Sequence, residues 1–583
     1  MGTAFTIDSP LRVARYGISS VISLVDDALI EQMRKFHCER EGEPYDEIAD
    51  RDEDARARRI TAYLDLVDRL VRRQVEALQA SPFEKGSEIT RYYEMLPETP
   101  LKRAYARMLA EDDRAERARQ QEELRRRAVP GSIDVNIMTK LDRDMYRNGE
   151  KLAPEFADAM SALRGYARSK LRGSIIFSAG MNQRLYAYIA EFDDFRPDRD
   201  GVLRKKIVLK VSDFRSAAVQ GRFLAKRGLW VSEYRVESGL NCGGHAFPSK
   251  GHLLGPILEE FRQNRDALTK KLHPIYAKAL TGIGAPVGEV PCEVRITVQG
   301  GISTARENGL LLEHFGVDGT GWATPFLLVP EVVNVDEAHL ERLLAAMEKD
   351  VYLSDSSPLD FPYWNLRTSA SEEARRRRIR EGKPGSPCSK HYAAINGEFT
   401  KIPICSASRS YVKRKLDRLA EESRPEAQQL RAKAHVLDKS CICHDLAGCA
   451  VVKCGIDPQA TPAICPGPNI VDFSRVATLE EMVGHIYGRI ELPTAPDRPH
   501  MFLRELKINV EYLRKEIESF SDGLLTRATD YYGEFRENLL SGVEHYRSLA
   551  ERFIAEERTR FLESLQGFAD EIGLIAVPAA SPA

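Results

Sequence analysis

Three glycine-bearing loops and one histidine carry the chemistry that this chain of 583 residues offers most openly. The first loop is Glu237-Ser238-Gly239-Leu240-Asn241-Cys242-Gly243-Gly244-His245. Its glycines admit positive φ and leave room beside the backbone, and His245 can exchange a proton near neutral pH. The same run also reads as a turn with a structural histidine. The second loop, Gln299-Gly300-Gly301-Ile302-Ser303-Thr304, follows an apolar run and opens a helix at Ala305. Consecutive backbone N–H groups at such a helix start form a seat for phosphate. The third, Gly319-Thr320-Gly321-Trp322-Ala323-Thr324-Pro325-Phe326, comes one strand–helix unit later. Two glycine loops in that order suit the phosphate site that α/β barrels build after their last two strands.

The elements that must position these loops alternate. Short apolar runs at Ile133 to Met138, Ser174 to Ser178, Lys206 to Val211, Leu229 to Val236 and Val294 to Val298 read as buried strands. Helical stretches such as Pro154 to Leu171 and Phe214 to Lys226 lie between them. Strands alternating with helices imply a parallel α/β sheet, and a (β/α)8 TIM barrel is the expected architecture. Gly17 to Leu24 supplies a first strand, which makes the Arg-, Glu- and Leu-rich helices of 45–127 an insertion closed by Pro130-Gly131. The expected divisions are 1–44 for the first strand and helix, 45–130 for the helical insertion and 131–340 for the barrel core. A loop-rich, cysteine-containing region over 341–480 and a helical region over 481–583 complete a large, mostly helical C-terminal part.

The order of these loops resembles the nitronate monooxygenase (2-nitropropane dioxygenase) family of FMN-dependent barrels and, more weakly, the FMN domain of glutamate synthase. Gly316-Val317-Asp318-Gly319 through Thr324, Phe326-Leu327 and Pro330-Glu331 is similar to that family's last-strand signature. Gln299-Gly300-Gly301-Ile302 resembles its Ala-Gly-Gly-Ile loop, Val135-Asn136-Ile137 its Val-Asn-Leu strand, and Gly239 through His245 its Gly-x-Glu-Ala-Gly-Gly-His run. The chain departs from the pattern at Ser238, at Asn241-Cys242 and at Ala323, where the family has Gln, Glu-Ala and Gly.

The resemblance implies an FMN-dependent monooxygenase acting on an activated carbon of a small or carrier-bound organic substrate. It places Gly300, Gly301, Ala323 and Thr324 at the cofactor phosphate, Asn136 near the flavin, and His245 as the catalytic base. Gln299, Gly239, Gly243 and Gly244 belong to the same loops, and Gly180 offers backbone contacts after the third run. Lys140 and Lys210 are cations near the ends of apolar strands, where a lysine stabilises negative charge on a reduced flavin. Lys210 reads equally as the partner of a nearby acid such as Asp213.

Seven of the ten cysteines fall between positions 388 and 465, among them Cys388 in a turn-rich stretch. Cys441, Cys443, Cys449 and Cys454 are close enough in sequence to bind zinc or an iron–sulfur cluster, and the last three have spacing that resembles the cluster-binding cysteines of glutamate synthase. Buried structural thiols are the competing reading. A flavin reductase coupled to such a cluster, or a non-catalytic phosphate-ligand-binding scaffold, are the alternative functions.

With 43% hydrophobic and 30% charged residues the chain buries a core, which excludes wholesale disorder. Its 85 basic and 87 acidic residues leave a net charge of −2, so no global field selects nucleic acid or a membrane surface. The run Arg375 to Arg378 with Arg380 reads as a solvated helix face balanced by glutamates. No apolar run approaches the roughly 18 residues of a membrane span, and no export leader is evident, so a cytoplasmic protein is expected, with homo-oligomerisation left open.

Overall fold

Apolar runs bounded by polar turns become seven parallel strands: β1 (Ser20–Ser23), β2 (Ile133–Met138), β3 (Ser174–Ser178), β4 (Lys206–Val211), β5 (Val231–Glu237), β6 (Arg295–Gln299) and β7 (Gly319–Gly321). They pair strictly in that order, each parallel to the next, in one curled, half-barrel sheet. The computed structural model describes residues 3–178, 180–288, 292–387, 389–493, 495, 497–525, 527–552 and 555–578. Helices such as Asp158–Arg168, Phe214–Ala225, Leu254–Gly282 and Ala305–Glu313 return the chain between strands. This is the right-handed β–helix–β economy of α/β folds.

One face of all seven strands looks into a single cavity, lined by Ser20, Asp134, Ser174, Val208, Glu233, Thr297 and Gly319 in strand order. The sheet therefore curves around a common lumen. The expected closed eight-stranded barrel is not formed among the described residues, because β1 and β7 are the two edges of the sheet and do not pair. The buried segment 3–9, which runs in turns, is tied to β1 on one side and to residues 332–334, beyond β7, on the other. Thr6 Oγ1 donates to Val21 O on β1 at 2.7 Å. On the other side Phe5 O accepts from Asn334 N, and Ser9 Oγ donates to Val332 O at 2.7 Å. Asp8 accepts from Asn334 Nδ2 at 2.6 Å.

Between β1 and β2 the chain forms the helices Ala55–Ala80, Glu88–Met95, Pro100–Ala110 and Arg114–Arg127. Ile60, Tyr63 and Val67 of the first bury with Ile22, Val135 and Leu209 of the sheet in one hydrophobic cluster. The tail helices Met501–Ser521, Asp530–Leu549 and Ala555–Gly573 join the same cluster through Leu506, Leu539 and Leu565. Between sheet and tail, β8 (Val351–Ser354) and β9 (Tyr363–Leu366) form an antiparallel pair. Among the described residues no helix is long and apolar enough to cross a membrane.

Candidate functional site

The lumen of the half-barrel is a cavity of about 1440 Å³, more than a small-molecule site needs. Closed barrels fill this space with layers of branched aliphatic side chains. Here most inward positions are polar. Glu233, Arg235 and Glu237 line the cavity from β5, and Arg295, Thr297 and Gln299 from β6. In the amino-terminal half, Glu233 Oε1 accepts from Arg235 Nε and Nη2 at 2.8 and 2.7 Å and from Thr297 Oγ1 at 2.6 Å. Asp134 accepts from Ser132 Oγ and Ser174 N, and burial pushes its carboxyl above the ordinary value.

At the carboxyl ends of the strands, Glu237 Oε1 accepts from Lys210 Nζ and from Gln299 Nε2, both at 2.7 Å. Burial pushes Glu237 up, but the Lys210 ammonium more than offsets it and holds the carboxyl below its ordinary value. Lys210 thus has an acidic partner, and it is Glu237 rather than Asp213. Asp213 caps the helix Phe214–Ala225 by accepting from Ser216 N at 2.6 Å. Cys242 lines the same wall, and burial followed by the Glu237 charge pushes its thiol well up, so it is not a thiolate nucleophile.

The glycine loops interlock. Gly300 and Gly301 have φ of +108° and +76°. A Cβ on Gly300 would run into Cys242 Sγ, and one on Gly301 into the Asn241 amide, which itself donates to Met501 O. Beyond them, Ser303 N and Thr304 N both donate to Glu307 Oε2, at 2.9 and 3.2 Å, in a capping box. Glu307 Oε1 accepts from Met501 N and pairs with Arg498. The helix start at Ala305 therefore carries its own buried carboxylate where the sequence suggested a phosphate. Thr324 Oγ1 accepts from Gly467 N at 2.9 Å.

Of the residues singled out from sequence, Gly243, Gln299, Gly300, Gly301, Ala323 and Thr324 line the cavity. Asn136, Lys140, Gly180, Gly239, Gly244, Lys210 and His245 are not part of its lining. Asn136 Nδ2 donates to Ile176 O across β2 and β3, and Gly180 O accepts from Thr139 Oγ1. Gly239 O accepts from Phe247 N, and Gly244 O from Trp364 N, folding the loop back on itself and onto β9.

Those contacts fix His245 against β9, where it pairs with Tyr363 through the backbone and meets its ring edge-on at 5.0 Å. Its Nε2 lies 2.7 Å from Ser357 Oγ. Ser357 Oγ also accepts from Leu359 N at 3.1 Å, which leaves the hydroxyl hydrogen for the imidazole. Burial and then the nearby Lys140 ammonium hold His245 down at about 3, so it is neutral at physiological pH. Lys140 Nζ sits 3.6 Å from the centroid of Phe361 and 4.9 Å from that of Phe247. A base poised near pH 7 is the efficient kind. His245 in this setting is a hydrogen-bond acceptor for Ser357.

The four cysteines suggested as a metal set are not brought together. Cys441 and Cys443 bury with Tyr392, Cys449 faces Asp336, and Cys454 lies in the field of Asp8 and Arg12. The physical reason is that Ile442–Asp445 and Gly448–Lys453 are two short helices, which turn successive thiols to different neighbours. Cys388 lies outside the described residues. The group with metal-like spacing among the described residues is Asp336, His339 and Cys449, all buried. Its hydrogen bonds argue for a different role. His339 Nε2 accepts from Ala370 N at 3.1 Å, so the proton is on Nδ1 and goes to Asp336 at 2.9 Å. Both nitrogens are committed, and a metal on Nδ1 would set Nε2–H against the Ala370 N–H. Zinc and iron well below one per chain are therefore expected by elemental analysis, with a melting midpoint that a chelator does not move. A stoichiometric metal would overturn this assignment.

Glu237 and Ser357 escaped the sequence reading. Glu237 left a signal, as a charged residue in period-two alternation with Glu233 and Arg235. Ser357 left none, since nothing in its loop marks a partner 112 positions away.

No protein-family model and no curated protein matches the chain. Among solved structures it is similar to the crystal structure of the enoyl reductase domain of MlnA from the macrolactin biosynthesis cluster of Bacillus amyloliquefaciens. The identity is 14% and the TM-score 0.32, over 72% of this chain and 88% of that one. At that level the functional reading is left to the chemistry of the site itself.

Proposed function

We propose that this chain is an FMN-dependent oxidoreductase of nitronate monooxygenase-like type, acting on an activated carbon of a small or carrier-bound organic substrate. In this reading its sheet is a (β/α)8-type barrel in which the segment 3–9 stands in for a strand. The observation that carries the reading is that Gly243, Gln299, Gly300, Gly301, Ala323 and Thr324, chosen from sequence as cofactor contacts, line one cavity. A seat for the phosphate end of FMN would be the backbone at Gly300 and Gly301 with the Thr324 hydroxyl, beside a helix start whose N–H groups Glu307 holds. Bound flavin would supply a two-electron acceptor.

The chain's own residues would then divide the work. Gln299 presents a donor on the cavity wall, and Lys210 pairs with Glu237 of that wall. His245 holds the Ser357 hydroxyl at Nε2 and accepts a substrate proton at that atom only once the hydroxyl turns away. Replacing His245 with Ala is expected to lower turnover by about 10²- to 10⁴-fold while leaving the flavin content unchanged. Retained turnover would remove His245 from the mechanism. The reading as a whole is tested by the visible spectrum of anaerobically purified protein, with the released chromophore identified by mass. A colourless protein that takes up no FMN on titration or refolding would overturn it.

A specific observation favours a second reading. The side-chain space at Gly300 and Gly301 is taken up by Cys242 and Asn241, and the N–H groups of Ser303 and Thr304 by Glu307. A non-catalytic scaffold needs the glycine loops for this interlock alone.

A further inference from the structure

Lys210 and Gln299 come from β4 and β6, the strands on either side of β5. Both aim their side-chain nitrogens at one atom, Glu237 Oε1, at the last residue of β5, and both distances are 2.7 Å. Glu237 and Gln299 line the cavity, and the Cys242 thiol lies on the same wall. No other carboxylate is paired with the Lys210 ammonium among the described residues. Three adjacent strands thus converge on one carboxylate, which fixes the Lys210 side chain and offsets its charge.

We propose that Glu237 is a positioning residue that sets the charge of the cavity wall. It holds the Lys210 ammonium and the Gln299 amide in place and offsets the positive charge that would otherwise favour an electron-rich, anionic ligand. This inference rests on the flavin reading above. Applied to it, Glu237 keeps the reduction potential of the bound flavin low. A fixed negative charge disfavours the reduced, anionic form, whereas Lys210 without its partner favours it.

The test is the two-electron potential of bound FMN in the wild type, in Glu237→Gln, in Lys210→Met and in the double variant. Gln keeps an acceptor for Lys210 and removes only the charge. It is expected to raise the preference for reduced over oxidised flavin about ten-fold, which is roughly 30 mV for a two-electron couple. The rise should shrink in the Lys210→Met background, because the carboxylate acts through the ammonium. Flavin bound at an unchanged potential in Glu237→Gln would overturn the inference while leaving the flavin reading intact. Wild-type protein that takes up no flavin would remove both. If Glu237→Gln does not fold, Glu237→Asp is measured instead. Keeping the charge but withdrawing it by a methylene, it should give a smaller rise, and no rise counts against the proposal.

Discussion

Gly301→Ala is expected to cost about 2–5 kcal/mol of stability, the sum of two separable effects. With φ at +76°, alanine would sit in the left-handed region at roughly 1–2 kcal/mol. Its Cβ would also overlap the Asn241 amide, and overpacking of this kind costs typically about 1–3 kcal/mol. Denaturant unfolding measures the sum, and Asn241→Gly in the same chain separates the parts. The double variant should recover the overlap and keep the backbone cost, less the Asn241 to Met501 hydrogen bond that it also loses. A neutral Gly301→Ala would mean that the 238–244 and 300–304 loops do not interlock as described. The cofactor cradle proposed on them would then lose its support.

Asp472→Asn is the second large effect. Asp472 is buried and accepts from Arg504 Nη1 and Nη2 at 2.7 and 2.6 Å, with Arg498 Nε at 3.2 Å. Arg504 is 5% exposed. Removing one partner of such a pair leaves a buried charge uncompensated, for about 3–5 kcal/mol. The variant also has a pH signature. Burial raises the Asp472 carboxyl, but the Arg504 hydrogen bonds and charge more than offset it, so its folded pKa is depressed. The carboxylate's contribution is thus fully present above the unfolded value of about 3.9 and is lost as pH falls through the folded value. The stability gap between wild type and Asp472→Asn should be level at neutral pH and close below about pH 4. A gap under about 1 kcal/mol at pH 7, or one that persists unchanged into acid, would contradict the pairing.

The residues that shape the sheet were legible because apolar runs between turns have few other uses. β2, β3 and β4 begin and end where the runs do, at Ile133–Met138, Ser174–Ser178 and Lys206–Val211. β5 starts two residues later than its run because Leu229 and Trp230 bury in the approach to the strand. β7, Gly-Thr-Gly, has no apolar residue and reads as a turn. The polar lumen also has a signature in the sequence. Lys206, Val208 and Lys210, or Glu233, Arg235 and Glu237, alternate with apolar neighbours such as Ile207, Leu209, Tyr234 and Val236. Period two means one buried face and one polar face, whereas a filled barrel would make both apolar.

The candidate site was legible in its loops and opaque in its electrostatics. Glycines announce themselves by type, and six residues of those loops do share one cavity. What occupies their neighbourhood is settled partly by local and partly by long-range contacts. Glu307 comes to the start of its own helix and Gly467 to Thr324, and only the folded chain brings the latter pair together across 143 positions. The four cysteines diverge for a local reason. Spacing along the chain says how far apart thiols are in sequence, while two short helices decide which way they turn.

The segment 3–9 has a consequence for synthesis. Its contacts with Val332 and Asn334 span more than 320 positions, as the Ser9 to Val332 separation of 323 shows. At a ribosomal rate of about 5–20 residues per second, roughly 16–65 s pass between the emergence of the two ends of that latch. During this interval segment 3–9 can meet β1 but not its far partners at 332–334, so the seam stays open, the kind of exposed edge on which nascent chains pair wrongly. A regular strand at 3–9 would double that liability by offering a second ladder of its own. Turns offer none. The irregular seam of the half-barrel thus suits a sheet whose last closure must wait for residues that the ribosome adds only after all seven of its strands.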